Sequence, residues 1–145
     1  MSGFNYDMDG DGIVTITMDM EGPVNSMSPA FLPLLEDAVA KLEAESGLKG
    51  VIVTSAKSTF FAGGDLNTLS QVTEDDAETF FEGVEAVKAA FRRMEKLPVP
   101  IVAAINGAAL GGGLELALAC NHRSAWDDRS VQIGLPEVTL GLRPG

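Results

Sequence analysis

The longest apolar stretch of the chain, residues 99–120, is interrupted by three consecutive glycines and one acid. The glycines are Gly111–Gly113, and Glu115 is the only ionisable carboxylate in the stretch. An ionised carboxylate is costly to remove from water, so an acid in such surroundings is either stabilised locally or retained for chemistry. A glycine turn that opens a helix allows close backbone approach and leaves N–H groups free to donate to an anion. The stretch therefore constrains the fold to a buried strand, a tight turn and a helix start.

Composition predicts one globular domain. The chain has 145 residues, of which 46% are hydrophobic, and this is enough for a core. Its one cysteine, Cys120, excludes an internal disulfide and is expected in the core, and its one histidine, His122, argues against a zinc-type site. A net charge of −11 argues against general nucleic-acid binding. The chain has no uninterrupted apolar run of transmembrane length, and its first residues are too acidic for a signal peptide. The expected location is therefore cytoplasmic.

The first half of the chain predicts a β-hairpin followed by a β-α-β unit. Residues 4–8 and 13–18 are partly alternating segments that flank an Asp-Gly-Asp-Gly turn. Ser28 fits a helix N-cap with Pro29 at the first helical position, and apolar residues then recur at helical spacing until a glycine ends the run. Residues 51–54 fit a buried strand reached by this helical crossover.

The second half continues the alternation of helices and strands. Thr73 fits the cap of a long helix whose acidic first turn suits the helix dipole. Residues 98–105 predict a third strand, the glycine turn leads into a helix over 112–119, and 123–126 and 131–133 fit short strands. The predicted class is α/β, with sequential elements packed around one core.

Two loops have the same predicted layout: each joins a buried strand to a helix through small residues. In Ala62-Gly63-Gly64-Asp65 and in Gly111–Gly113, backbone N–H groups can point at one ligand atom if the loops converge. Two convergent N–H groups make an oxyanion hole. The alternatives are that the glycines only permit tight packing of helix on strand, and that Asp65 only caps a helix.

Two acids, Glu115 and Glu137, stand in predicted first turns with apolar neighbours. Such surroundings favour proton transfer, because desolvation moves a carboxyl pKa toward the working pH. The alternatives are structural: Glu115 can complement the helix dipole, and Leu135-Pro136-Glu137 fits a helix that starts with proline. Motifs for dinucleotide binding, for a P-loop and for a serine nucleophile elbow are not found in the sequence.

Five motifs in order resemble the crotonase family, the enoyl-CoA hydratase/isomerase superfamily. They are Asn-Ser-Met at 25–27, Phe-Ala-Gly-Gly-Asp-Leu at 61–66, the segment 98–107, Gly-Gly-Gly-Leu-Glu at 111–115 and Ile-Gly-Leu-Pro-Glu at 133–137. The set is most similar to the N-terminal hydratase/isomerase region of multifunctional fatty-acid oxidation proteins. The resemblance implies an α/β crotonase-like fold, a spiral of repeated ββα units that is incomplete at the C-terminus.

The resemblance also implies roles for individual residues. The N–H groups of Gly64 and Gly112 would hold the thioester oxygen of an acyl-CoA substrate, with Ala62 and Asp65 as further contacts of the substrate-binding loop. Glu115 would activate the water that attacks C3, and Glu137 would deliver a proton to C2. In an isomerase, Glu137 would instead move a proton between C2 and C4. No metal or redox cofactor is implied, since coenzyme A is part of the substrate.

The resemblance raises further expectations about the protein as a whole. Residues 1–145 are expected to form the N-terminal core of a single crotonase-like domain, because family domains continue past the position of Pro144-Gly145. A homo-oligomer, a trimer in the family, or a multifunctional β-oxidation complex is expected, and whether 145 residues alone are active stays open. Arg143 stands where an apolar residue is more usual, and Lys57 is a candidate partner for the CoA phosphates. A non-catalytic acyl-CoA binding or assembly protein is the alternative from another class.

Overall fold

The computed structural model describes residues 3–145, which form two sheets and four α-helices. The strands are β1 Gly3–Met8, β2 Ile13–Asp19, β3 Gly50–Ser55, β4 Ile101–Ile105, β5 Ala109–Leu110, β6 His122–Ala125 and β7 Ile133–Gly134. The helices are α1 Phe31–Ala44, α2 Leu66–Leu69, α3 Ala77–Glu95 and α4 Gly112–Leu118, with 3-10 turns at Glu74–Asp76 and Glu137–Leu140.

The larger sheet has the strand order β1-β2-β3-β4-β6. The pair β1 and β2 is antiparallel, and the other neighbours are parallel, so the predicted hairpin and β-α-β unit are both confirmed. Val51 is the centre of this arrangement, because it pairs with Val14 on one side and with Ile101 on the other. Parallel strands place their carboxyl ends at one edge of a sheet, so the segments that follow β2, β3 and β4 start close together.

A second layer of short pairings lies beyond that edge. Met27 pairs with Gly64, Phe61 pairs with Ala109, and β5 pairs with β7, each in parallel. The strands β2, β3, β4 and β6 are each followed by a short strand-like segment and, in the first three of these cases, by an α-helix. This repetition is the spiral of ββα units that the resemblance implied, and it brings the two glycine loops into neighbouring positions.

The core lies between α1, α3 and the larger sheet, with Phe31 near its centre. The Phe31 ring contacts three other rings edge-on, with centroid distances of 5.1 Å to Phe61, 6.1 Å to Phe4 and 6.4 Å to Phe91. Aromatic pairs in this geometry stabilise a core beyond their buried area. The apolar face of α1 is buried as its helical spacing predicted; its buried residues are Phe31, Leu35, Ala38, Val39 and Leu42.

The predicted start of α1 is wrong. Ser28 does not cap the helix with its side chain; instead its carbonyl oxygen accepts the Phe31 N–H at 2.9 Å. This bond closes a turn over Pro29 and Ala30, and the helix begins only at Phe31. The reason lies just before the turn, where the Met27 N–H donates to the Gly63 carbonyl oxygen at 2.8 Å and keeps this part of the chain extended.

The long helix α3 packs on the core with only part of its apolar stripe. Thr73 donates from both its N–H and its hydroxyl to Asp76, but it precedes a 3-10 turn, and α3 begins at Ala77. Met94 near the other end is buried, whereas Phe80 is 43% and Phe81 65% exposed. The first half of α3 therefore stands away from the core and forms one wall of open cavities.

Cys120 lies in the core, as predicted. Burial raises the pKa of its thiol to about 12, against a smaller lowering by Arg123, so the thiol stays protonated at neutral pH. Within residues 3–145 no cluster of three or more metal-ligating side chains occurs. None of the helices in the same range is long and apolar enough to span a bilayer.

Asn25 ties the strand ends to the first glycine loop. It is fully buried, and its Oδ1 accepts the Met20 N–H at 2.9 Å. Its Nδ2 lies within hydrogen-bond distance of the Met18 carbonyl oxygen (3.2 Å), Ser55 Oγ (2.8 Å) and the Phe60 carbonyl oxygen (3.3 Å). One amide therefore satisfies polar groups from three segments of the chain.

Asn25→Ala is expected to lower the free energy of unfolding by about 2–6 kcal/mol, because two buried polar groups lose their partner at about 1–3 kcal/mol each. Urea unfolding followed by circular dichroism measures the change. The matched control is Asn5→Ala on the exposed side of β1, for which a change within about 0.5 kcal/mol is expected. Equal losses in the two variants would contradict the role of Asn25.

Candidate active site

The two glycine loops touch each other. A side chain at Gly63 is excluded, because its Cβ would lie 2.8 Å from the Leu110 carbonyl oxygen and 3.7 Å from Gly111 Cα. The loops are also hydrogen-bonded, since the Leu110 N–H donates to the Phe61 carbonyl oxygen at 3.1 Å and the Phe61 N–H donates to the Ala108 carbonyl oxygen at 3.0 Å. The convergence that would turn two separate glycine turns into one site is present in the structure.

Some backbone donors at this junction have no protein acceptor in the described part of the chain, and two of them belong to Gly64 and Gly112. Within residues 3–145, neither the Gly64 N–H nor the Gly112 N–H donates a hydrogen bond to a protein acceptor. Gly64 is exposed beside α2, and Gly112 is the first residue of α4, where the N–H of a helix has no intrahelical partner. Met27 contacts both positions: it pairs with Gly64, and a Cβ on Gly112 would meet its thioether at 2.5 Å.

Glu137 lies against the second glycine loop. The Gly111 N–H donates to the Gly134 carbonyl oxygen at 2.9 Å and so brings the segment that carries Glu137 to the start of α4. A Cβ on Gly111 would lie 2.5 Å from Glu137 Oε1, so a side chain at this position would displace the carboxylate. Glu137 Oε2 is buried and has no hydrogen-bond partner among the described residues. Pro136 precedes a 3-10 turn here rather than occupying the first position of an α-helix.

Glu115 is in the first turn of α4, half-buried, and its carboxylate faces α3. Its Oε1 accepts the Gly145 N–H at 2.7 Å. The side chain lines a cavity of about 510 Å³ together with Val84, Val87 and Phe91 of α3. The Glu115 side chain therefore lines a cavity and accepts one backbone N–H.

A second, apolar cavity of about 490 Å³ begins at Gly64. It runs between α1, α2 and α3 and is lined by Met27, Leu69, Val84 and Val87, among others. Val84 and Val87 also line the cavity of Glu115, so the two cavities adjoin along α3. The structure thus places Gly64, Gly112 and Glu137 around the glycine loops, whereas Glu115 opens into the neighbouring cavity.

The remaining residues predicted for the site are engaged in structural contacts. Asp65 caps α2, since its Oδ1 accepts the Asn67 N–H at 3.0 Å and its Oδ2 accepts the Thr68 hydroxyl at 2.9 Å. Its contact with substrate stays a prediction. The Ala62 N–H donates to the Asn25 carbonyl oxygen at 2.8 Å and is not a free donor. Lys57 Nζ forms a half-buried ion pair with Asp19 at 2.6 Å.

Two residues of the junction received no role from the sequence. Gly111 is part of the triple glycine in the sequence. That the Glu137 side chain lies where a Cβ of Gly111 would project depends on the path of residues 133–137. Met27 is an isolated apolar residue without periodic neighbours, so the sequence offers no signal that it contacts two loops at once. Both become evident only from the packing.

Comparisons with known proteins show which family the chain resembles. The sequence profile of the Enoyl-CoA hydratase/isomerase family matches residues 9–145. The Fatty acid oxidation complex subunit alpha of Shewanella frigidimarina is 43% identical over 98% of the chain. The protein of the same name from Idiomarina loihiensis is 41% identical over the same share. The chain spans 20% of the length of each of these relatives.

Solved structures share the fold. An enoyl-CoA hydratase from Bacillus anthracis superposes with a TM-score of 0.86 and 36% identity, covering 99% of this chain and 54% of that one. DspI from Pseudomonas aeruginosa superposes with a TM-score of 0.82 and 30% identity, covering 99% of this chain and 57% of that one. Because the family profile covers nearly the whole chain and the ββα spiral is shared with these structures, the chain belongs to the enoyl-CoA hydratase/isomerase family.

Proposed function

We propose that this domain is an enoyl-CoA hydratase that adds water syn across the C2–C3 double bond of a trans-2-enoyl-CoA in fatty-acid β-oxidation. The observation that carries the proposal is the pair of unengaged backbone N–H groups, at Gly64 and Gly112, on two loops that touch. The carboxylate of Glu137 lies against Gly111, the residue before Gly112. Two donors and an adjacent acid are what a thioester needs for proton transfer at the carbon next to its carbonyl.

The two N–H groups would hold the thioester carbonyl oxygen. When water attacks C3, electron density moves through C2 to this oxygen, and the resulting enolate is stabilised by donors already in place. Removing one donor from such a site typically lowers the rate by about 10²–10³-fold. The apolar cavity that begins at Gly64 offers space for an acyl chain, and the Ala62–Asp65 loop passes beside the bound thioester.

The two carboxylates would move the protons. Glu115 takes a proton from the attacking water as the C3–O bond forms, and Glu137 gives its proton to C2 as the C2–H bond forms. Exchange of protons with solvent then restores both acids. The free Oε2 of Glu137 supports its role, because no protein donor competes for it within the described residues. The reaction is a water addition with proton transfer, so we propose that it uses no cofactor beyond the CoA of the substrate.

The second candidate is an isomerase that moves the double bond from C3–C4 to C2–C3. The observation in its favour is that Glu115 opens into the adjoining cavity and accepts the Gly145 N–H, whereas Glu137 alone lies on the glycine loop. One carboxylate suffices for this reaction, since it removes a proton from C2 and returns it to C4.

Turnover of two substrates tests the proposal. The protein at its natural length is mixed with a short trans-2-enoyl-CoA, and loss of the conjugated thioester absorbance is followed; a 3-enoyl-CoA is assayed in parallel by product analysis. Hydration of the 2-enoyl substrate supports the hydratase. Conversion of only the 3-enoyl substrate supports the isomerase, and tight binding of both without turnover supports a non-catalytic acyl-CoA binding protein; either result overturns the hydratase proposal.

The named relatives suggest an assembly for this domain. They are alpha subunits of fatty acid oxidation complexes, and we propose that this domain also acts in the cytoplasm within a homo-oligomer or such a complex. Sedimentation of the protein at its natural length, with hydration activity assayed across the fractions, tests this. Activity at the position of a monomer would contradict it.

A further inference from the structure

We infer that Met27 is a positioning residue that fixes the direction and the spacing of the Gly64 and Gly112 N–H groups. The inference rests on the proposed hydratase function. It adds to that function a residue other than the two carboxylates and the two donor glycines. Met27 is half-buried, follows the turn after β2, and lines the apolar cavity that begins at Gly64. It contacts the first loop through its backbone and the second loop through its thioether.

The backbone of Met27 sets the direction of the first donor. Its N–H donates to the Gly63 carbonyl oxygen at 2.8 Å. That carbonyl and the Gly64 N–H belong to one peptide unit, and in a planar trans peptide the two groups point in opposite directions. Because the carbonyl is held toward Met27, the Gly64 N–H is turned away from it and is left free to donate elsewhere.

The side chain of Met27 sets the place of the second donor. Its Sδ and Cε lie where a side chain of Gly112 would project, so close that a Cβ there would be 2.5 Å from each. Gly111, which precedes α4, has no side chain to fix the first turn, and its φ is +52°. The position of Gly112 relative to the first loop therefore depends on packing, and the long, unbranched thioether contributes to that packing beside the contact of Gly113 with Phe61.

A small displacement is enough to matter for such a pair of donors. Donors act when they lie close to the place where the oxyanion forms, and a misplacement of about 1 Å can lower a rate by about 10²-fold. Met27→Ala keeps the backbone N–H and so keeps the direction of the Gly64 donor, but it leaves a void beside Gly112. Met27→Leu refills most of that void without sulfur.

The experiment compares Met27→Ala, Met27→Val and Met27→Leu in the protein at its natural length. For Met27→Ala we expect kcat for hydration to fall by about 10- to 100-fold while KM changes little, with an intermediate loss in Met27→Val and near-normal kcat in Met27→Leu. The second readout is the carbonyl stretching frequency of a bound trans-2-enoyl-CoA, recorded in the Glu137→Gln background. Donors lower this frequency, and we expect Met27→Ala to move it back toward that of the free thioester.

Met94→Ala is the matched control, because Met94 is a buried methionine of α3 outside the glycine loops. It removes the same side chain from the core, so it is expected to lower thermal stability without changing kcat or the carbonyl frequency. If Met27→Ala does not fold, Met27→Val carries the comparison. If the wild type hydrates the substrate, the inference is overturned by wild-type kcat and carbonyl frequency in Met27→Ala and Met27→Val. Equal losses of kcat in Met94→Ala and Met27→Ala would also overturn it. A wild type that binds but does not hydrate overturns the proposed function and the inference with it.

Discussion

Glu137→Gln is expected to lower kcat for enoyl-CoA hydration by about 10²–10⁴-fold, and Glu115→Gln by a similar factor. Glutamine keeps the size and the hydrogen-bonding shape of glutamate but neither takes nor gives a proton. The effect falls on kcat, because the groups proposed to hold the thioester oxygen, the Gly64 and Gly112 N–H groups, are untouched. Steady-state kinetics with a short trans-2-enoyl-CoA measures the change.

The double variant separates a shared role from two independent ones. Losses of kcat from residues that act in one step are strongly non-additive. The double variant Glu115→Gln/Glu137→Gln is therefore expected to have a kcat only slightly below that of the less active single variant. Glu43→Gln is the matched control: Glu43 is an exposed partner of Arg93 between α1 and α3, and its loss is expected to leave kcat unchanged. Wild-type hydration in either single variant at the site would exclude that residue from the acid-base chemistry.

Gly113→Ala is expected to have the largest effect on the fold of the site. A Cβ at this position would lie 2.4 Å from the Phe61 carbonyl oxygen and 2.8 Å from Phe61 Cβ, so α4 and the first loop must separate. Overpacking of this kind costs about 1–3 kcal/mol. Separation also pulls the two donors apart, so kcat is expected to fall by about 10²-fold even where the protein stays folded. Urea unfolding and steady-state kinetics measure the two effects.

Gly83→Ala is a control for the stability part of this prediction. Gly83 also stands in a helix, α3, but a Cβ there would meet nothing within 4 Å. Because alanine favours a helix over glycine, this variant is expected to be stabilised by about 0.5–1 kcal/mol. If Gly113→Ala were stabilised to the same extent, the close contact between α4 and Phe61 would not exist in solution.

The sheet and the glycine loops could be predicted from the sequence because their signals are local. Alternating β-branched residues in 13–18, an apolar run at 51–54 and a glycine turn before a helix each specify a structure within a few residues. The alternation of strands with helices then restricts the connections to parallel crossovers, and the two loops are brought to one edge. This is why the two glycine loops could be paired before any packing was known, whereas the choice of Gly64 and Gly112 as the donors came from the resemblance to the crotonase family.

The contacts made by single side chains could not be predicted in the same way. Ser28 has the residue type of a cap, but the hydrogen bond between the Met27 N–H and Gly63 decides where the chain turns into α1. Glu115 and Glu137 are expected to flank the same substrate bond, which stays a prediction, but the sequence carried no sign that Glu115 lines a cavity beside α3. Each outcome depends on a segment distant in sequence, and local propensity carries no information about such contacts.

The most direct test of the account is a crystal structure of the protein at its natural length with a bound acyl-CoA that cannot react. We predict that the thioester oxygen accepts hydrogen bonds from both the Gly64 and the Gly112 N–H at about 2.7–3.1 Å, with the Glu137 carboxylate beside C2. A thioester oxygen that contacts neither N–H group, or a CoA bound away from the glycine loops, would contradict the account.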